Sequence, residues 1–249
     1  MKLGFSVKLL MFFIASALAV GAAAYFLSGY SLPFPDHGDS VNSNTDVSKY
    51  KTVIIDAGHG GEDGGASSAA GLVEKDVNLE ISKLLCEMLR ANGVNAIMTR
   101  EDDRLLYDRN VDFKGRKKKL DLAARLTIAD TTPDAVFVSI HMNSYTNPKY
   151  SGLQVWYSPN DPDSSALAEL IRSNNKSTLQ PENTRKTKVA TSSIFLLDNA
   201  TCPAVLVECG FLSNPAEAAL FETDEYKQKV AAMLFDSITE FLENSASYP

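Results

Sequence analysis

Three apolar runs in this chain end in residues that can bind a metal or move a proton. Thr52–Asp56 (TVIID) leads into Ala57-Gly58-His59-Gly60-Gly61-Glu62-Asp63-Gly64-Gly65. Ala135–Ile140 (AVFVSI) leads into His141-Met142-Asn143-Ser144, and Ala204–Val207 into Glu208-Cys209-Gly210-Phe211. Glu74 follows the glycine-rich stretch, at the head of a helical pattern. Two imidazoles, one carboxylate and an open position suit a catalytic zinc. Zinc acidifies the water in its open position to a pKa of about 7. A second carboxylate is then needed to take the proton and hand it to a leaving group. Glu74 and Glu208 can divide the roles of ligand and base, and spacing alone leaves that division open. Gly58, Gly60, Gly61, Gly64 and Gly65 allow a tight turn that faces His59 to the metal. Asp56 is placed to orient a ligand from behind.

Duller readings exist for each residue. A single histidine at a strand end can simply bond a loop. The chain has three histidines, and His59 and His141 stand at equivalent strand ends, which favours a site. Glu74 equally suits the N-terminal turn of a helix. Glu208 ends an apolar run, where a buried carboxylate without a task is costly. The glycines do not spell a dinucleotide loop: counting from Gly58, the sixth position of G-x-G-x-x-G is Asp63. Cys209 has no free histidine to activate it and reads as a small packed residue. Arg125 and Arg185 are candidates for substrate carboxylates, because a guanidinium pairs with them bidentately. The basic run Lys114–Lys119 (KGRKKK) reads as solvated surface, with contact to an anionic polymer as the alternative.

The elements that must position these residues alternate in type. Strands are expected at Thr52–Asp56, Val94–Thr99, Ala135–Ile140, Leu153–Tyr157, Ser193–Leu197 and Ala204–Val207. Helices are expected at Lys75–Asn92, closed by Gly93, at Leu120–Ala129 and at Asp163–Leu179. A further helix starts at Asn214-Pro215-Ala216-Glu217, with Asn as cap and Glu in the third position. Tyr226, Val230, Met233, Leu234, Ile238, Phe241 and Leu242 stripe the last one. Solidly apolar strands alternating with helices indicate an α/β fold, a mostly parallel sheet covered on both faces. Such sheets gather their sites beyond the carboxyl ends of strands.

The chain has 249 residues and a formal charge of −7. Three cysteines cannot build a disulfide framework or a four-cysteine zinc site. The acidic balance argues against nucleic acid as a partner. Leu9–Leu27 is an uncharged run of 19 residues behind two lysines. Residues 1–28 are therefore a signal peptide or a signal anchor. The length of the run favours the anchor, and the lysines put the rest of the chain outside the cytoplasm. Residues 29–48, rich in Ser, Asn, Asp, Pro and Gly and including His37, read as a flexible linker. The catalytic domain is then residues 49–249.

The motifs Asp56-Ala57-Gly58-His59-Gly60-Gly61, Glu74-Lys75-Asp76, Thr99-Arg100, Ser139-Ile140-His141-Met142-Asn143 and Val207-Glu208-Cys209-Gly210-Phe211-Leu212-Ser213-Asn214 together resemble those of the zinc-dependent N-acetylmuramoyl-L-alanine amidases. The resemblance covers about Val53 to Phe241. It implies a six-stranded α/β domain with one zinc, and hydrolysis of the amide between the muramic acid lactyl group and L-alanine in peptidoglycan. Carried over by motif, His59, Glu74 and His141 are the zinc ligands and Glu208 the general base. Asn143 joins Arg125 and Arg185 as a candidate substrate contact, separately from that carry-over. The leader, the lone catalytic domain and Asn183-Thr184-Arg185-Lys186 followed by Ile194–Asn199 look most like the spore-cortex, germination-specific branch. That branch implies a role in forming muramic-δ-lactam, a location in the cell wall or cortex (membrane-anchored or secreted), and leaves an activating protein partner open. The alternatives are vegetative wall remodelling or division, a zinc carboxypeptidase or deacetylase on the same polymer, and a non-catalytic, membrane-tethered peptidoglycan-binding module.

Overall fold

The run at residues 52–57 shows no alternation because helices cover both faces of its strand, and every position in it is buried. In this computed structural model the described residues are 48–108, 110 and 114–246. The expectations for a leader at 1–28 and for the linker up to residue 47 lie outside them. Among the described residues no helix is long and apolar enough to cross a membrane.

In chain order the elements are β1 (Thr52–Ala57), α1 (Glu74–Ala91), β2 (Asn95–Met98), α2 (Lys117–Thr131), β3 (Ala135–Asn143), β4 (Gln154–Tyr157), α3 (Asp163–Thr178), β5 (Lys188–Val189), α4 (Phe195–Asn199), β6 (Ala204–Phe211), α5 (Pro215–Phe221) and α6 (Asp224–Ala246). The six strands form one sheet in the order β2-β1-β3-β6-β4-β5. Its pairings are parallel except β4 with β6, which is antiparallel. This is the single α/β domain that the sequence pattern indicates.

Successive strand residues point to opposite faces, and the two faces carry separate cores. Val53, Ile55, Val136, Val138, Ile140, Val205 and Val207 pack with Val77, Ile81 and Leu85 of α1, Leu167 of α3 and Leu234 of α6. Ile54, Phe137, Ala204 and Leu206 pack on the other face with Ala129 of α2 and Leu197 of α4. The same alternation puts Asp56, Ser139, His141 and Glu208 on this second face. Register aligns them: Asp56 lies beside Ser139 and His141 beside Glu208. The site is thus the polar end of an otherwise apolar face.

Two expectations are corrected. Ser193–Leu197 is not a strand: a turn leads into α4, which seats Leu196 and Leu197 in the second core. A four-residue apolar run carries no period that separates strand from helix, and the edge position goes instead to the two exposed residues of β5. Asn214 caps α5 as expected, accepting from the backbone of Ala216 and Glu217. Glu217, however, does not reach back to the cap. Its carboxylate accepts from Gly152 N at 2.9 Å and Phe211 N at 2.8 Å, tying the approach to β4 to the end of β6.

Candidate active site

Glu74 is the first residue of α1, and its buried side chain folds back over its own loop. Oε2 accepts from Ala66 N at 2.7 Å, and Oε1 accepts from Met142 N at 3.1 Å. His59 Nε2 approaches Oε1 to 3.2 Å, and His141 Nδ1 approaches the same oxygen to 3.0 Å. The two rings meet edge to face, their centroids 5.0 Å apart. One donor atom from each of His59, Glu74 and His141 lies within 4.8 Å of the others. Ligand atoms of a tetrahedral zinc sit about 3.3 Å apart, so these separations suit such an ion. Burial alone would lift the Glu74 carboxyl, but the two imidazoles hold it well below the usual carboxylate range.

Glu208 stands opposite His141 on β6. Its Oε2 is shielded from solvent and has no hydrogen-bond partner among the described residues. Burial raises this carboxyl from 4.5 to about 7, and the neighbouring Glu74 adds to the effect. A carboxyl with that affinity can both accept and release a proton near neutrality. The site opens into a cavity of about 240 Å³ lined by His59, His141, Glu208, Lys118 and Phe195, among others. Two imidazoles and a carboxylate converging beside an unpartnered carboxylate oxygen are a donor set that fits zinc and an attacking water.

The loop that presents His59 is clamped from behind. Arg125 and Arg100 are each 1% exposed. Arg125 donates to Ala57 O at 2.8 Å and His59 O at 2.7 Å. Arg100 donates to Ala57 O at 2.8 Å and Gly58 O at 3.0 Å. Three successive carbonyls are therefore held by two buried guanidiniums. His59 itself takes a left-handed conformation, φ 61°, which such anchoring can enforce.

Several side chains stand elsewhere than the sequence suggests. Arg125 is engaged within the protein, at the wall of the cavity that holds His59 and Glu208: besides those carbonyls it pairs with Asp56 at 2.5 Å and Asp121 at 2.8 Å. Asp56 does not touch a histidine ring. It accepts from Thr99 at 2.7 Å and Ser139 at 2.6 Å, and is linked to His59 through Arg125, which donates to both. The carboxylate on the imidazole is Asp63, 3.0 Å from His59 Nδ1. Sequence reasoning misses this residue, although it lies four positions downstream in the same loop. Arg100, visible in the sequence only as part of a motif, is the other omission. The KGRKKK run is partly paired: Lys117 reaches Glu62 at 2.6 Å, and Lys118 lies 3.5 Å from Asp63.

A family model described as N-acetylmuramoyl-L-alanine amidase matches residues 53–240. The chain belongs to this amidase family. It is 34% identical over 199 residues to the germination-specific N-acetylmuramoyl-L-alanine amidase of Bacillus subtilis, a match covering 80% of this chain and 83% of that protein. Among solved structures, the amidase CwlD of Clostridioides difficile, determined in complex with the GerS lipoprotein, is similar at a TM-score of 0.73 and 37% identity, covering 78% of this chain and 99% of that one. The amidase AmiC2 of Nostoc punctiforme is similar at 0.65 and 32%, covering 79% and 99%. In the present amidase, Asn143 closes β3, where its Oδ1 accepts from Ser144 N at 2.8 Å. Arg185 lies outside the cavity that holds His59 and Glu208 and lines a neighbouring one.

The clamp leads to a stability prediction. Arg125→Met leaves the buried Asp56 and Asp121 without their cation, and is expected to cost about 3–5 kcal/mol. Arg125→Lys recovers little, because an ammonium lacks the planar fork. Burial would raise Asp56, but Arg125, Ser139 and Thr99 hold it below its ordinary 3.8. Its contribution is therefore present above about pH 4 and lost as the pH falls below it. Denaturant midpoints should show a wide gap between wild type and Arg125→Met at pH 7 that narrows in acid.

Proposed function

We propose that this amidase is a zinc enzyme that cleaves the bond between the lactyl carbonyl of N-acetylmuramic acid and L-alanine during maturation of spore cortex, upstream of muramic-δ-lactam formation. One observation carries the chemistry: the unpartnered Oε2 of Glu208 lies across one strand pairing from a cluster of His59, Glu74 and His141. Those three residues would hold a single zinc, which when bound supplies Lewis acidity and lowers the pKa of water. Glu74 sets the separation of the two imidazoles, and Asp63 fixes the tautomer and tilt of His59. Glu208 takes a proton from the attacking water and delivers it to the nitrogen of L-alanine as that amine leaves. Its raised affinity suits both halves of this transfer. Asn143, at the end of β3, would bond the substrate.

The cortex assignment is supported by the likeness to the germination-specific relative and to CwlD. CwlD was determined bound to a lipoprotein, which supports a protein partner here too. Residues 1–28 would carry or tether the domain outside the cytoplasm. The test is digestion of purified cortex and vegetative peptidoglycan by the full chain, with product mass spectrometry. Intact stem peptides with free N-terminal alanine are expected, preferentially from cortex, abolished by chelator and restored by zinc. Shortened stems or deacetylated glycan without free alanine would overturn the reading.

A further inference from the structure

A larger cavity, about 730 Å³, lies at the same end of the sheet, one strand beyond Glu208. We propose that it is a subsite for a carboxylate of the substrate's stem peptide, gripped by Arg185. This rests on the amidase reading above and adds what selects the substrate.

The charge around the cavity runs against that of the chain. The whole sequence carries −7, yet Lys149, Arg185, Lys186 and Lys188 line this cavity against only Glu182 and Glu217. Glu217 is buried and already accepts two backbone N–H groups, and Arg185 lies near enough to act on its charge, so cations outnumber acids four to two around the cavity.

Arg185 is oriented before any ligand arrives. Its Nε donates to Ser151 O at 2.8 Å. The guanidinium lies over Phe211, 4.8 Å from the ring centroid, and 5.9 Å from that of Tyr150. Its Nη1 and Nη2 have no hydrogen-bond partner among the described residues. A planar fork fixed at one edge and stacked on aromatics presents two parallel donors, the geometry that takes a carboxylate bidentately.

Gln154 joins the cavity to the catalytic carboxylate. It lies directly opposite Glu208 across the antiparallel pair, where Cα atoms stand about 4.5–5.5 Å apart. It is 3% exposed. Its Nε2 donates to Lys186 O at 2.7 Å, while its Oε1 is shielded from solvent and has no partner among the described residues. An extended peptide advances about 3.3–3.6 Å per residue. A stem leaving Glu208 therefore passes Gln154 and brings a carboxylate of its next residues to Arg185.

The test uses the full chain with zinc and two soluble substrates: a muramyl tripeptide with its stem carboxylates free, and the same compound with them amidated. Wild type should show a KM about tenfold or more lower for the free acid, with similar kcat. Arg185→Ala and Arg185→Lys should raise KM for the free acid to the amidated value and leave kcat and zinc content unchanged. Arg172→Ala, at an exposed ion pair on α3, should match wild type. Calorimetric titration of the free tripeptide should give heat with wild type and none with Arg185→Ala. Equal KM for the two substrates in wild type, or an Arg185 variant that loses kcat on both alike, would overturn the subsite while leaving the amidase reading intact. Failure of wild type to release the tripeptide from either substrate would count against the amidase reading, and the titration would still decide the subsite.

Discussion

Glu208→Gln is expected to bind zinc as wild type does and to release stem peptides from peptidoglycan about 100- to 10,000-fold more slowly. Gln keeps the shape of the side chain but cannot take the proton of the attacking water. The residue stands opposite His141, and its Oε2 has no partner among the described residues, so the amide gives up no hydrogen bond there. The same substitution should stabilise the zinc-free protein. Burial raises the Glu208 carboxyl from 4.5 to about 7. Between those values the folded chain holds a proton that the unfolded chain releases, so stability falls as the pH rises through that range, and the full penalty remains above it. In chelator-treated protein, Glu208→Gln should therefore melt higher than wild type, by more at pH 8 than at pH 5. Metal analysis, product mass spectrometry and two melting curves check these outcomes. Amidase turnover retained in Glu208→Gln would remove the residue from its role as base.

Gly58→Ala is expected to cost both metal and activity. Gly58 follows β1 directly, and a Cβ built there collides with the His141 ring at Cε1, Nε2 and Cδ2. The ring cannot retreat freely, because Nδ1 is 3.0 Å from Glu74 Oε1. Nor can the loop, because Gly58 O is held by Arg100 at 3.0 Å and Asn78 at 3.2 Å. Something in the cluster must shift. A displacement near 1 Å at reacting groups lowers rates by about 100-fold, and the zinc content should fall with it. Gly71→Ala is the contrast. Gly71 has φ +93° and nothing within 4 Å of its Cβ, so that variant should lose some stability and keep its zinc. A zinc-replete, fully active Gly58→Ala would show that the site tolerates the repositioning.

The glycines also mark how far the sequence can be read. Local pattern assigns those after β1 to a tight turn. Gly65, with φ +69°, does take such a conformation, but a Cβ there would also meet Glu74 and His59. At Gly58 the requirement is close approach of a ring that lies more than eighty residues away in the chain, which no local pattern carries. Likewise Ile194–Leu197 has the composition of a strand, and only the packing of Leu196 and Leu197 against the second core makes it helical.

The sequence by itself determined the fold class and the donor residues proposed for the site. Alternating apolar runs and helical stripes specify a parallel, doubly covered sheet, because burying both faces demands that pattern. Donor side chains placed where those runs end must then converge at one end of the sheet. Tertiary structure alone decided the tasks of the charged residues behind them. Arg125 and Arg185 are the same residue type, and by sequence both are candidates for a substrate carboxylate. Arg125 sits on α2 against the sheet, closed in by Asp56, Asp121 and two carbonyls. Arg185 lies over an aromatic ring at the edge of an open cavity. A guanidinium can satisfy itself inside the protein or wait for a ligand. Which of these it does depends on what the fold packs around it, and that is set by contacts remote in sequence.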